Sequence, residues 1–162
     1  MTFRTGFALC CAAGLLLACR AEPAPNAAQP LGARTAPSGL DMVPLTIHSR
    51  GRDHRFIVEV ARTPDQQAQG LMHRERLGAD EGMIFPFPSP RPASFWMRNT
   101  LIPLDMIFIR QDGTIARIAA NTVPLSEEPV GSGEPVAAVL ELRGGRAAEL
   151  GIQAGDRVSW PG

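Results

Sequence analysis

Apolar and polar residues alternate along most of the chain after residue 42, and a period of two indicates strands that bury one face. Within residues 43–47 every second position is Val, Leu or Ile, and residues 56–60 repeat the pattern with Phe and two Val. Gly51 lies between the two runs, where a tight turn needs a residue that accepts positive φ. The two runs therefore predict a β-hairpin.

A second hairpin is predicted around the tripeptide Gln111-Asp112-Gly113. Residues 104–110 and 114–119 flank it, and an Asp-Gly pair between strands supplies the positive-φ residues that a tight hairpin turn demands. Prolines between residues 86 and 92 indicate a loop or a sheet edge. Further strands are predicted at residues 83–87, 94–98, 136–143 and 157–160.

Two short helices interrupt these strands. Thr63 is a good N-cap, Pro64 suits the first helical position, and Gln66 completes a capping box. The apolar side of this helix is predicted to consist of Ala68, Leu71 and Met72. A second helix is predicted near residues 146–150. The fold class that follows is mainly β: a single small sandwich or a partly open barrel with two short helices.

The N-terminal segment reads as a signal peptide over residues 1–18. Arg4 provides a basic start, and residues 7–18 are apolar but shorter than the roughly 20 residues of a membrane-spanning helix. The run ends in a small residue followed by Cys19, which resembles the lipobox of bacterial lipoproteins and predicts lipid attachment at Cys19. The alternative is ordinary secretion, with cleavage after Ala21.

Residues 19–41 are rich in Pro and Ala and have no hydrophobic period, so they predict an extended tether ahead of a folded domain at residues 42–162. The expected location is the periplasmic face of a bacterial membrane through the lipid anchor, or the soluble periplasmic or secreted fraction if Cys19 carries no lipid. Membrane contact is expected only through that anchor.

The amino-acid composition of the chain excludes several kinds of site and reaction. The three cysteines, Cys10, Cys11 and Cys19, all precede the domain, so it has no disulfide, thiolate metal site or cysteine nucleophile. All 16 basic residues are Arg, which excludes Schiff-base chemistry. Without the signal peptide the chain has 15 basic and 16 acidic residues, a balance that favours no nucleic-acid partner. No metal or other cofactor and a monomeric state are expected.

Four blocks of sequence resemble the DUF192 family: GLMHRERLGADEGMIFPF, SFWMRNTLIPLDMIFI, DGTIARI and AVLELRGGRAAELGIQAGDRV. The resemblance covers residues 43–160 and implies a mostly β fold of sandwich type, with no assigned biochemical activity. The last block alone also resembles the end of a PDZ domain. Nothing before it supplies the glycine-rich carboxylate-binding loop that a PDZ domain needs.

The candidate site lies around the second block. Asp105 follows Pro103 in an apolar stretch, so it is either a brace for the preceding turn or a desolvated general base. Trp96 either lies beside Arg98 on the open side of a strand, where it can stack on a sugar ring or an aromatic group, or packs under a neighbouring loop. The predicted ligand-binding residues are Trp96, Arg98, Asn99, Thr100 and Asp105, with Arg74 nearby.

The function predicted from these residues is that of an extracytoplasmic binding or accessory module for a small molecule or an envelope protein. The alternative is a hydrolase acting on a sugar or cell-wall fragment, with Asp105 as general base and Arg98 or Asn99 stabilising charge. The sequence contains no identifiable nucleophile that would favour the enzyme.

Overall fold

The computed structural model describes residues 1, 2 and 34–161. The chain divides into two units, Met1–Pro30 and Leu31–Gly162, and the second unit contains all of the described strands and helices. The predicted signal peptide, apart from residues 1 and 2, and the predicted lipid site Cys19 lie outside the described residues. In the part of the chain that is described, no helix has the length and apolar character needed to cross a membrane.

The second unit is mainly β, as predicted, with two short helices. The helices are α1 (Pro64–Gln69) and α2 (Arg146–Leu150). The strands are β1 (Arg34–Thr35), β2 (Asp41–Ser49), β3 (Arg52–Val60), β4 (Glu81–Phe95), β5 (Leu104–Ile109), β6 (Ile115–Thr122), β7 (Val130–Arg143) and β8 (Arg157–Ser159).

The strands form one sheet in the order β1-β2-β3-β4-β7-β5-β6, with β8 paired to β2. A bridge between Thr114 and Arg157 also joins β8 to the start of β6. The sheet thus curls back toward its own edge, which fits the partly open barrel of the two predicted architectures. The β3–β4 pair is parallel, with α1 in the connection, whereas the other pairs are antiparallel.

Both predicted hairpins are confirmed. In β2–β3 the last paired residues are Ser49 and Arg52, and the two turn residues, Arg50 and Gly51, have φ of 49° and 74°. Positive φ at both positions defines the turn whose twist matches that of the flanking strands. In β5–β6, Gly113 has a φ of 83° at the predicted turn.

The capping box of α1 is confirmed, since the Thr63 hydroxyl accepts from the Gln66 N–H and the Gln66 side chain accepts from the Thr63 N–H. Its predicted apolar side is only partly right. Leu71 is buried, but Ala68 is exposed and the helix buries none of its own residues. The helix ends at Gly70, so Leu71 enters the core from the loop that follows.

The predicted strands at residues 83–87 and 94–98 are a single long strand, β4, that ends at Phe95. Its pairing with β7 breaks between Pro86 and Arg91, because prolines lack the N–H that a ladder needs while keeping the chain extended. Residues 96–98 are therefore not strand. The predicted tether also ends earlier than residue 41, since β1 pairs with β2 and Ala36 is buried.

Apolar side chains are buried on both faces of the sheet. The cluster on one face includes Leu45, Ile47, Phe56, Val58, Ile84, Ile107, Leu140 and Leu142. The other cluster lies under the loops that follow α1 and β4, and includes Leu71, Met83, Phe85, Met97, Met106, Phe108 and Val139. The central strands β4, β5 and β7 contribute to both clusters, so a polar residue on either face of them is removed from solvent.

Candidate functional site

Asp105 is a structural anchor in β5. Its carboxylate has no exposed surface and accepts three backbone N–H groups: Asn121 at 2.8 Å, Gly145 at 2.9 Å and Ala147 at 2.8 Å. The last two lie at the N-terminus of α2, whose own N-cap Gly145 has no side chain to satisfy them. Asp105 therefore caps a helix about 40 residues away in sequence and ties it to β6.

The same geometry removes the carboxylate from any substrate. The predicted brace is formed, although its donors come from β6 and α2 rather than from the preceding turn. A general base must reach the proton that it abstracts. With 0% exposure, Asp105 cannot do so, and the hydrolase alternative built on it loses its base.

Arg74 is paired with a carboxylate of β3. Its guanidinium makes two contacts to the nearly buried Glu59 carboxylate, one of them at 2.7 Å, and the Ser38 hydroxyl donates to the same carboxylate. A bidentate Arg–carboxylate pair of this kind fixes both side chains. Arg74 thus connects the loop after α1 to β3 and forms its ion pair with Glu59.

A pocket of about 340 Å³ opens between α1 with its following loop and the end of β4. This volume is at the lower end of the roughly 300–1,000 Å³ of small-molecule sites. Three predicted site residues, Trp96, Arg98 and Thr100, line it, whereas Asn99, Asp105 and Arg74 do not. The remaining lining residues are Gln67, Ala68, Gln69, Gly70, Leu71, Met72, Phe85, Arg91, Ser94, Phe95 and Glu141.

Two arginines of the pocket wall are held on aromatic rings. The Arg98 guanidinium carbon lies 4.2 Å from the centroid of Trp96, which is 45% exposed, and that of Arg91 lies 4.0 Å from the centroid of Phe87. Within residues 34–161 neither guanidinium forms an ion pair or a side-chain hydrogen bond. Stacking orients the planar groups while their N–H edges stay available.

Glu141 of β7 lies at the buried end of this pocket and is only 4% exposed. Its register partners are Met83 on β4 and Met106 on β5, so its side chain leaves the sheet between two thioethers. None of the described residues donates a hydrogen bond to its carboxyl group or pairs with it. This arrangement is unusual, because buried carboxyl groups are normally bonded or paired.

Burial alone shifts the protonation of Glu141. It raises the pKa of the carboxyl group from 4.5 to about 8, because burial disfavours the ionised form. At neutral pH the group is therefore mainly the neutral acid, which carries one O–H donor. Such a group can donate to an oxygen of a bound molecule or transfer its proton.

The turn after β4 positions the mouth of the pocket. Asn99 has a φ of 57°, and its carbonyl accepts from the His73 N–H at 2.8 Å. Thr100 is buried and bonded to residues of the same turn and to Leu125. Asn99 thus has the positive-φ turn role that its residue type favours, and the turn holds Trp96 and Arg98 against the loop after α1.

Glu141 and Arg91 are the charged pocket residues that sequence reasoning missed. The signal for Glu141 was a carboxylate between Leu140 and Leu142 in an alternating strand, which ordinarily places the charged residue on the solvent face. The face of β7 that carries Glu141 is covered because the loops after α1 and β4 fold over it. No group of three or more His, Cys, Asp or Glu side chains that could hold a metal ion occurs among the described residues.

Solved structures that resemble this chain include two from bacteria. A protein of unknown function from Novosphingobium aromaticivorans is 48% identical with a TM-score of 0.79, covering 86% of this chain and 100% of that one. A Sinorhizobium meliloti protein, whose description proposes transcription regulation, is 43% identical with a TM-score of 0.74, covering 80% and 98%. No curated protein matches the chain. Residues 45–160 match the DUF192 family, described as an uncharacterized ACR, and the chain belongs to this family.

Proposed function

We propose that this protein is a small-molecule-binding module of the cell envelope, and that its ligand occupies the pocket between α1 and the end of β4. Trp96, Arg98 and Thr100 form part of the wall, and Glu141 contacts the buried end of the ligand. Glu141, and not Asp105, is the functional carboxyl group. The stacked Trp96–Arg98 pair contacts the ligand at the mouth of the pocket.

The observation that carries the proposal is the carboxyl group of Glu141, buried and without a partner among the described residues. A protein gains no stability from such a group, since a hydrophobic residue of similar size would avoid its desolvation. Residues that break a packing rule in this way are expected at functional sites. Glu141 also faces a pocket that water and a ligand can enter, and not a sealed cavity.

The envelope location is part of the proposal and is based on residues 1–19. An apolar run followed by Cys19 supports lipid attachment, and two acyl chains suffice for stable anchoring. Cys19→Ser should move the protein from the membrane fraction to the soluble fraction of its expression host. Equal membrane association of both forms would contradict the anchor.

A thermal-shift screen of the purified protein against sugars, sugar acids, amino sugars and short peptides tests the binding proposal. A binding probe should raise the melting temperature, and Glu141→Leu and Trp96→Ala should each abolish that rise. Arg55→Gln is the matched control, because Arg55 is an exposed arginine of β3 outside the pocket. A rise that persists in both pocket variants would place the ligand elsewhere and contradict the proposal.

A further inference from the structure

The pocket carries arginines near its mouth and a carboxyl group at its buried end, and this distribution of charge bears on the class of ligand. The charged side chains that line the pocket are Arg91, Arg98 and Glu141. The elements packed around Glu141 contribute uncharged lining residues, namely Gln67 and Gln69 from α1, Leu71 and Met72 from the next loop, and Phe85 from β4. The pocket therefore has two cationic groups near its mouth and one acid at its buried end.

The two guanidinium groups are suited to an anion. Each is stacked on a ring and unpaired in residues 34–161, in contrast to Arg74, Arg110, Arg143 and Arg146, which all have carboxylate partners. A pre-oriented guanidinium presents parallel N–H groups that match the two oxygens of a carboxylate. The net charge of the pocket is positive whether or not Glu141 is ionised, because two arginines face one carboxyl group, and it is more positive at pH 7, where Glu141 is mainly neutral.

The rest of the wall indicates a polyhydroxylated molecule. Gln69, Ser94 and Thr100 provide polar atoms next to the aromatic rings of Phe95 and Trp96. Small-molecule sites combine apolar and aromatic surface with a few placed polar groups in this way. Protonated Glu141 adds a hydrogen-bond donor at the buried end, where a ligand hydroxyl or carbonyl oxygen can accept.

We infer that the ligand is a small sugar acid, with its carboxylate held by Arg91 and Arg98 and a hydroxyl or carbonyl oxygen accepting from the Glu141 carboxyl group. This inference rests on the proposed function, because it names the ligand class of the same pocket. It also makes binding dependent on pH. Above the pKa of Glu141 the donor is lost and a buried negative charge repels the anion.

Isothermal titration of the full-length protein with glucuronate, glucose and glucosamine tests the charge preference. The three probes share one sugar ring and differ in charge. Glucuronate should bind most tightly, and Arg91→Gln and Arg98→Gln should each weaken it by about ten-fold or more, since charge-assisted hydrogen bonds are lost. Arg55→Gln should leave its affinity unchanged.

The pH profile of glucuronate binding tests the role of Glu141. Affinity should fall on the order of ten-fold between about pH 7 and pH 9 in the native protein, because only the protonated acid donates. Glu141→Gln keeps a donor at every pH, so its profile should be flat. Tighter binding at higher pH, or a preference for glucosamine, would overturn the inference.

The two proposals fail in different ways. If glucose binds as tightly as glucuronate and Glu141→Leu abolishes both, the pocket is a ligand site but the sugar-acid class is wrong. If none of the three sugars binds and no probe of the thermal-shift screen raises the melting temperature, the sugar-acid inference and the binding proposal both fail.

Discussion

Two carboxylates inside apolar strands have opposite roles in this protein. Asp105 accepts three backbone N–H groups, whereas Glu141 has no partner among the described residues. Both give the same signal in the sequence, a single acid among aliphatic residues, and the sequence alone drew attention only to Asp105. The donors to Asp105 come from residues 121, 145 and 147, whose proximity depends on the tertiary fold, so residue type and spacing could not distinguish brace from site.

Asp105→Asn should destabilise the protein without affecting the pocket. An amide offers one acceptor oxygen where the carboxylate uses two, so at least one buried N–H loses its partner, at a cost of about 1–3 kcal/mol. Urea unfolding measures this change. Asp65→Asn, an exposed acid in the first turn of α1, is the control and should change stability by less than about 0.5 kcal/mol. Unaltered stability of Asp105→Asn would refute the anchoring role.

At the scale of elements, local patterns were sufficient for the hairpins and the helix cap. The β2–β3 and β5–β6 pairs join strands adjacent in sequence, and their turns carry residues that accept positive φ. The parallel β3–β4 pair and the β4–β7 pair join distant segments, and alternation does not encode which strands become neighbours. The pocket is formed at these long-range pairings, which explains why two of its three charged lining residues, Arg91 and Glu141, were missed.

The β4–β7 contact depends on Gly82, where the strands approach closely. A Cβ at this position would lie 2.5 Å from the Glu141 carbonyl oxygen and 2.8 Å from a Leu142 methyl carbon. Gly82→Ala should therefore force the strands apart and reduce stability by about 1–3 kcal/mol. Thermal unfolding provides the measurement.

Gly131→Ala in β7 is the matched control, because its Cβ would meet no atom closer than the Ala93 carbonyl oxygen at 3.9 Å. The control should unfold within a few degrees of the native protein. If Gly82→Ala melted at the same temperature as Gly131→Ala, the close approach would not constrain the fold.

At the scale of the whole molecule, the fold buries the carboxyl group of Glu141 on the sheet face that the loops after α1 and β4 cover. The central strands are covered on both faces, so Glu141 is desolvated while the pocket still gives access to it. The mainly β class and the family membership were predictable, because the alternation of apolar residues begins at residue 43 and the four sequence blocks lie between residues 70 and 158. The covering of the second face was not predictable, since it arises from the loops after α1 and β4 folding back over the sheet.

The burial of Glu141 has a consequence for stability as a function of pH. Its pKa is about 8 in the folded protein and near 4.5 when solvated, so between these values the folded chain holds a proton that the unfolded chain releases. The contribution of Glu141 to the free energy of unfolding therefore falls as the pH rises from about 4.5 to about 8, by at most about 1.4 kcal/mol per pH unit. Glu141→Gln cannot ionise and lacks this dependence.

The most direct measurement is the free energy of unfolding of the native protein and of Glu141→Gln, compared at intervals from about pH 5 to pH 9. If Glu141 is a buried, unpartnered acid at the end of a ligand pocket, the variant becomes progressively more stable than the native protein toward pH 8. Parallel curves would show that Glu141 ionises as readily in the folded as in the unfolded protein and would contradict a buried, unpartnered acid at the proposed site.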